Sequence, residues 1–180
     1  MALHAARPFR TASLAALLWL CLAPARADVY DDVLRLIRAQ NWAQAQALAS
    51  QHLQTREQDP QMRLLLSRIQ TGQGQTDAAM GTLLQLTLNY PELAEPHNNL
   101  AALYAQAGRF DDALSSLNRA ILARPDYATA LENLGDLHAT LAQQAYERAA
   151  KAAQAASVLT GSTAKVKANT LADLLQAAPR

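Results

Sequence analysis

Covalent cross-links are nearly out of reach for this chain, which has a single cysteine, Cys21, among 180 residues. That excludes a disulfide scaffold. Six glycines and seven prolines are too few for a fibrous or low-complexity chain. Aromatic residues make up 5%, and the formal charge is only +1, from 16 basic and 15 acidic side chains. So small a surplus excludes a nucleic-acid binder that works by neutralising phosphates. What is plentiful is alanine, with forty residues. Alanine costs least in a helix interior, while strands want Val, Ile, Tyr and Phe, so the composition leans towards helices.

The N-terminus departs from this pattern. Arg7 and Arg10 precede the apolar run from Ala12 to Ala23, and Pro24 and Ala25-Arg26-Ala27 follow. A basic start, an apolar segment of about a dozen residues and an A-x-A end read as a secretory signal peptide over residues 1–27, cut after Ala27. The competing reading is an uncleaved anchor, but the run is well short of the roughly 20 apolar residues that a membrane span needs. A lipid anchor on Cys21 would want a small residue just before it, where Leu18, Trp19 and Leu20 stand. Cleavage would leave 153 residues with 13 basic and 15 acidic side chains and no cysteine. The expectation is a periplasmic or secreted protein with no stable membrane insertion once the signal is removed. The alanine content suggests a bacterium with a GC-rich genome.

Beyond the signal, the chain repeats with a period of 34 residues. Leu66, Leu100 and Leu134 share one column, as do Ser67, Ala101 and Gly135, and Ala45, Ala79 and Ala113. Gly74 pairs with Gly108, Leu83 with Leu117 and Pro91 with Pro125, while Trp42, Thr76 and Phe110 occupy one slot. Small residues fall on small, large apolar on large, and turn formers on turn formers, which points to duplication of one structural unit.

The unit from Ala94 to Tyr127 carries Leu100, Ala101, Tyr104, Ala113, Leu117, Ala120 and Pro125 at the spacing of the tetratricopeptide repeat, which it resembles. Its neighbours match less well. Residues 60–93 have Gln70 at the tyrosine slot and Leu86 at an alanine slot, residues 28–59 keep chiefly Trp42 and Ala45, and residues 128–157 place His138 at the tyrosine slot. The resemblance implies an all-α solenoid of stacked antiparallel helix pairs, in about three to four repeats over residues 28–157, closed by a C-terminal capping helix. The residues themselves support helix pairs. Pro96 suits a first turn, Gly108 can end a helix in the left-handed region, and Pro125 stops the next helix. Phe110, Ala113, Leu114, Leu117 and Ile121 recur on one helix face. The alanine-rich run from Leu141 to Ser157 predicts a long closing helix. Residues 158–180 read as a tail, with a short helix over 170–178 in which Thr170 and Asp173 have capping-box spacing.

No motif for metal, thiol, acyl-transfer or nucleotide chemistry occurs, so no catalytic residue, metal ligand or cofactor is assigned. Gly72-Gln73-Gly74 reads as an interhelix turn. Of the four histidines, His97 and His138 stand at slots filled by packing aromatics and read as interhelix spacers. The resemblance implies a concave groove formed mainly by the first helix of each pair, and by slot it assigns Arg68, Asn98, Ala102, Gln106, Glu132 and Asp136 to that groove. Glu132 and Asp136 would repel the acidic C-terminus that some members of the family hold.

The resulting expectation is a non-enzymatic protein–protein interaction scaffold or assembly adaptor of the bacterial cell envelope, binding a peptide or protein partner and no nucleic acid. It looks similar to small exported proteobacterial repeat proteins. The alternative is an accessory subunit or minor enzyme of cell-wall or glycan metabolism that uses the repeats as a platform. Self-association through the ends of the array is a further expectation.

Overall fold

The computed structural model describes residues 28–155 and 161–177. The signal-peptide reading of residues 1–27 lies outside them. The described residues form eight helices and no strand: α1 (Val29–Arg38), α2 (Trp42–Thr55), α3 (Pro60–Gly72), α4 (Thr76–Asn89), α5 (Ala94–Gln106), α6 (Phe110–Ala123), α7 (Ala128–Ala155) and α8 (Gly161–Ala177). Helices α1 to α6 make three antiparallel pairs, each helix packing on the next, and α7 packs on α5 and α6. The fold is an α-solenoid.

The turn inside each pair is the same hydrogen-bonded device three times over. Gln40, Gly74 and Gly108, 34 residues apart, have φ of 53°, 73° and 72°. Their N–H groups donate to the carbonyls of Ile37, Thr71 and Ala105 at 2.9–3.0 Å, and the following N–H groups reach Leu36, Gln70 and Tyr104 at 2.9 Å. This pattern satisfies carbonyls that the helix end would otherwise leave open. Two of the three positions are the glycines that the spacing singles out. The first is Gln40, a left-handed residue with a side chain. The turns between pairs repeat as well: the N–H groups of Arg56, Tyr90 and Arg124 close on His52, Leu86 and Ala120 at 2.8–3.2 Å. Asp28 is the N-cap of α1, its side chain accepting from the Tyr30 N–H.

Burial follows the seams between helix pairs. Val33 and Ile37 of α1, Ala45 and Ala49 of α2, and Met62, Leu65 and Ile69 of α3 form one cluster. A larger one runs from Ala79, Leu83 and Leu86 of α4 through Leu100, Leu103 and Tyr104 of α5 to Leu117 of α6 and Leu137 of α7. The boundary between the clusters thus falls inside the second repeat, between α3 and α4. A lone pair could not cover both of its faces, and stacking covers them.

The C-terminal part differs from expectation. Helix α7 runs unbroken for 28 residues, so the fourth unit has no turn of its own, and its antiparallel partner is α8. That helix starts at Gly161 rather than near residue 170 and spans 17 residues. Thr170 is interior to it, with its hydroxyl donating to the Val166 carbonyl at 3.0 Å, so the expected capping box is absent. Ala150 of α7 and Ala168 of α8 are both buried, and Lys167 Nζ of α8 lies 5.5 Å from the centroid of the Tyr146 ring of α7. His138, expected as a spacer, is exposed.

Candidate interaction groove

Two clefts lie along the first helices of the pairs. One, of about 390 Å³, is lined by Ser67, Arg68 and Thr71 of α3 and by Asn99, Ala102 and Gln106 of α5, with Ile37 and Trp42 at its far end. The other, of about 600 Å³, lies between α5 and α7 and is lined by Ala102, Ala105, Gln106, Asn133, Asp136 and Thr140, with Phe110 and Leu117 behind. Ala102 and Gln106 belong to both, so the clefts join into one groove across α3, α5 and α7. The 34-residue period explains its regularity: Asn99 and Asn133 share a slot, and so do Arg68, Ala102 and Asp136. Small Ala102 and Ala105 leave room where the groove is continuous.

Trp42 closes the α1–α2 end. Its indole lies against Gly72, the last residue of α3, where an added Cβ would stand 2.5 Å from Trp42 Cη2. Gly72 is therefore needed for close approach, a role that reading the segment as a turn had missed.

Of the residues assigned to the groove by slot, Arg68, Ala102, Gln106 and Asp136 line it. Glu132 is exposed one helical turn before Asp136 but lines neither cleft. Asn98 does not face the groove. It is 5% exposed, and its side-chain carbonyl accepts from Asn133 Nδ2 at 2.8 Å. The asparagines in the groove are Asn99 and Asn133, one position further along each helix. A helix turns about 100° per residue, so a shift of one carries a side chain from groove to seam. Asn98 thereby helps to orient Asn133, whose own carbonyl oxygen and second N–H stay free of this bond.

Titratable groups gather elsewhere. At the seam between the first two pairs, the Tyr30 hydroxyl and His52 Nε2 both meet Asp59 Oδ2, the latter at 2.8 Å, while Asp59 Oδ1 caps α3 by accepting from the Met62 N–H at 3.1 Å. The rings of Tyr30 and His52 meet edge-on with centroids 5.5 Å apart. Burial alone would raise the Asp59 pKa, but the bonds from Tyr30, Met62 N–H and His52 together hold it below the usual carboxylate value. The bond to Asp59 and burial push the Tyr30 phenol up. No single residue type marked this trio; only comparing the slots with those of the next repeat brings it out. His97, at the next seam, is 3% exposed and bonded through Nε2 to the Pro91 carbonyl at 3.1 Å. A carbonyl only accepts, so Nε2 carries the proton, and burial keeps the ring neutral by lowering its pKa. Among the described residues, no group of three or more His, Cys, Asp or Glu could hold a metal ion, and no helix is long and apolar enough to cross a membrane.

Family models described as tetratricopeptide repeat match residues 36–103 and 98–161, together most of the chain. The chain belongs to the tetratricopeptide repeat family. No curated protein matches it by sequence. Among solved structures it is similar to YrrB, described as a tetratricopeptide repeat protein with an unusual peptide-binding site, at 23% identity and a TM-score of 0.53. That match covers 58% of this chain and 54% of YrrB, so the chain spans about half of that relative's length. The type III secretion translocator chaperone SycD of Yersinia enterocolitica is similar at 16% identity and a TM-score of 0.54, over 63% of this chain and 78% of its own. A thermophilic tetratricopeptide repeat protein of Thermus thermophilus is similar at 22% identity and a TM-score of 0.58, over 79% of both chains. At these identities the likeness establishes the fold alone.

Proposed function

We propose that this tetratricopeptide repeat protein is a non-enzymatic scaffold of the bacterial cell envelope that holds an extended segment of a protein partner along α3, α5 and α7. The observation that carries this reading is the joined groove, continuous through Ala102 and Gln106 and lined by small side chains and side-chain amides. An extended main chain presents donors and acceptors in alternation, and an Asn or Gln amide offers one of each. YrrB, with its peptide-binding site, and the chaperone SycD are precedents on the same fold. Export rests on the N-terminal pattern, with Ala27 as the last residue removed. The titratable cluster of Tyr30, His52 and Asp59 is used up in joining two repeats, which supports a role without catalysis.

The test is to block the groove without touching the core. Ala102 is exposed at its centre, and Ala102→Trp would fill it. Leu122, 84% exposed on α6 and lining neither cleft, supplies the control Leu122→Glu. Partners recovered from envelope extract should be lost with Ala102→Trp and kept with Leu122→Glu. The opposite pattern would overturn the groove assignment. Mass measurement of the protein from the envelope fraction should give a chain beginning at Asp28; a chain that retains residues 1–27 would overturn cleavage.

A further inference from the structure

The joined groove has one cation and one anion, and they stand at opposite ends. Among the described residues, Arg68 on α3 and Asp136 on α7 are the only charged side chains lining either cleft. They occupy the same repeat slot, two units apart, with Ala102 between them on α5. Both are exposed, and neither takes part in the ion pairs among the described residues, Asp32–Arg35, Arg109–Asp112 and Glu95–Arg124, or in the His52–Asp59 contact. Arg109 and Arg124, by contrast, each pair with an acid and also lie over a ring, Tyr104 and Tyr127 respectively. Glu132, exposed one turn before Asp136, adds to the negative end.

Resting on the peptide-groove reading above, we propose that the bound segment is dipolar, with an acidic side chain that meets Arg68 and a basic side chain that meets Asp136. Two helix steps of roughly 8–10 Å separate the sites, a span of about 20 Å. An extended chain advances about 3.3 Å per residue, so the two charges of the ligand stand about six residues apart. The uncharged stretch between them lies over Ala102, with Asn99, Gln106 and Asn133 available to its main chain. Neither a uniformly acidic tail nor a polybasic segment fits, because each would set a like charge against one end of the groove.

A random twelve-residue peptide library displayed on phage, panned against the purified full chain and two charge variants, tests this without knowledge of the natural partner. Wild type is expected to enrich peptides with one acid and one base five to seven positions apart. Arg68→Glu should enrich peptides with two bases at that spacing, and Asp136→Arg peptides with two acids, whichever way the peptide runs. In a wild-type winner, replacing the acid by Gln should weaken binding by up to about fivefold at low salt, the upper end for exposed ion pairs. The same replacement should have no effect on Arg68→Gln protein. Peptides that compete with one another and are lost on Ala102→Trp, yet show no charge pairing or the same charges with all three proteins, would leave the groove standing and overturn the dipolar ligand. Failure of all three to enrich any peptide sensitive to Ala102→Trp would overturn both.

Discussion

The first two seams of the array use the same three slots in opposite ways. Where α1, α2 and the turn before α3 bring together Tyr30, His52 and Asp59, the positions 34 residues later hold Leu64, Leu86 and Leu93. Leu86 is completely buried, and Leu64 packs against the cluster it belongs to. One backbone thus accepts either a hydrogen-bonded polar trio or an apolar contact at the joint between repeats. The polar version fixes direction through a cap and two shared bonds, whereas the apolar version contributes burial, about 1.5–3 kcal/mol for a leucine. The end repeat, with the smaller cluster beneath it, uses the polar version.

Cutting each seam at the shared slot is the sharpest way to break this comparison. Leu86→Ala should cost about 3 kcal/mol by leaving a cavity. His52→Ala, its equivalent, should cost about 1 kcal/mol, the worth of one hydrogen bond. Equal losses in urea unfolding would mean that the two seams do not differ in kind. Next in size, Asp59→Ala removes the cap of α3 and the shared partner of Tyr30 and His52, for about 2 kcal/mol. Hydrogen exchange should localise that loss to α1 and α2, leaving α5 and α6 protected; uniform loss would contradict a seam-specific role.

The turns within the helix pairs sharpen the contrast further. Gln40 adopts φ of 53° where the other two repeats have glycine, and side-chain-bearing residues in this region are strained by roughly 1 kcal/mol. Gln40→Gly is expected to stabilise by about 0.5 kcal/mol after the extra freedom glycine gives the unfolded chain. Gly108→Ala should destabilise by about 1 kcal/mol, although its added Cβ would meet nothing within 4 Å. Thermal melts of the two variants should therefore move in opposite directions.

The smallest effect is in pH. His97 has a folded pKa below its ordinary value of 6.5, so the unfolded chain takes up a proton first as the medium is acidified. Its contribution is complete above pH 6.5 and declines as pH falls towards the folded value. Asp59, held below its ordinary 3.8, keeps its contribution down to about that pH and loses it on further acidification. Stability should thus fall in two separate windows. His97→Gln should remove the upper one and Asp59→Asn the lower; a single acid transition unchanged by either would contradict the assignment.

Much of this architecture was legible because the columns at 34-residue spacing mix residues of very different character. Gly74, Gly108, Pro91 and Pro125 mark turns, and Leu83 and Leu117 mark buried faces. What stayed hidden has physical causes. Gln40 did not look like a turn residue, since its conformation is imposed by the same hydrogen bonds that glycine satisfies without strain. The first half of α8 escaped because its buried residue is an alanine, Ala168, as is the buried Ala150 of α7, and alanine leaves little contrast between apolar and polar faces. Asn98 was misassigned because one position along a helix separates a groove side chain from a seam side chain. The continuity of the groove depends on where two clefts meet, at Ala102 and Gln106, and no spacing rule reports that.

The central claim is that partners lie in the groove of α3, α5 and α7. A photoreactive phenylalanine analogue placed at Ala102 in living cells, and separately at Leu122 as the control, tests it directly. The account predicts a covalent adduct from position 102, abolished by a competing groove peptide, and none from position 122. An adduct from position 122 with none from position 102 would contradict it.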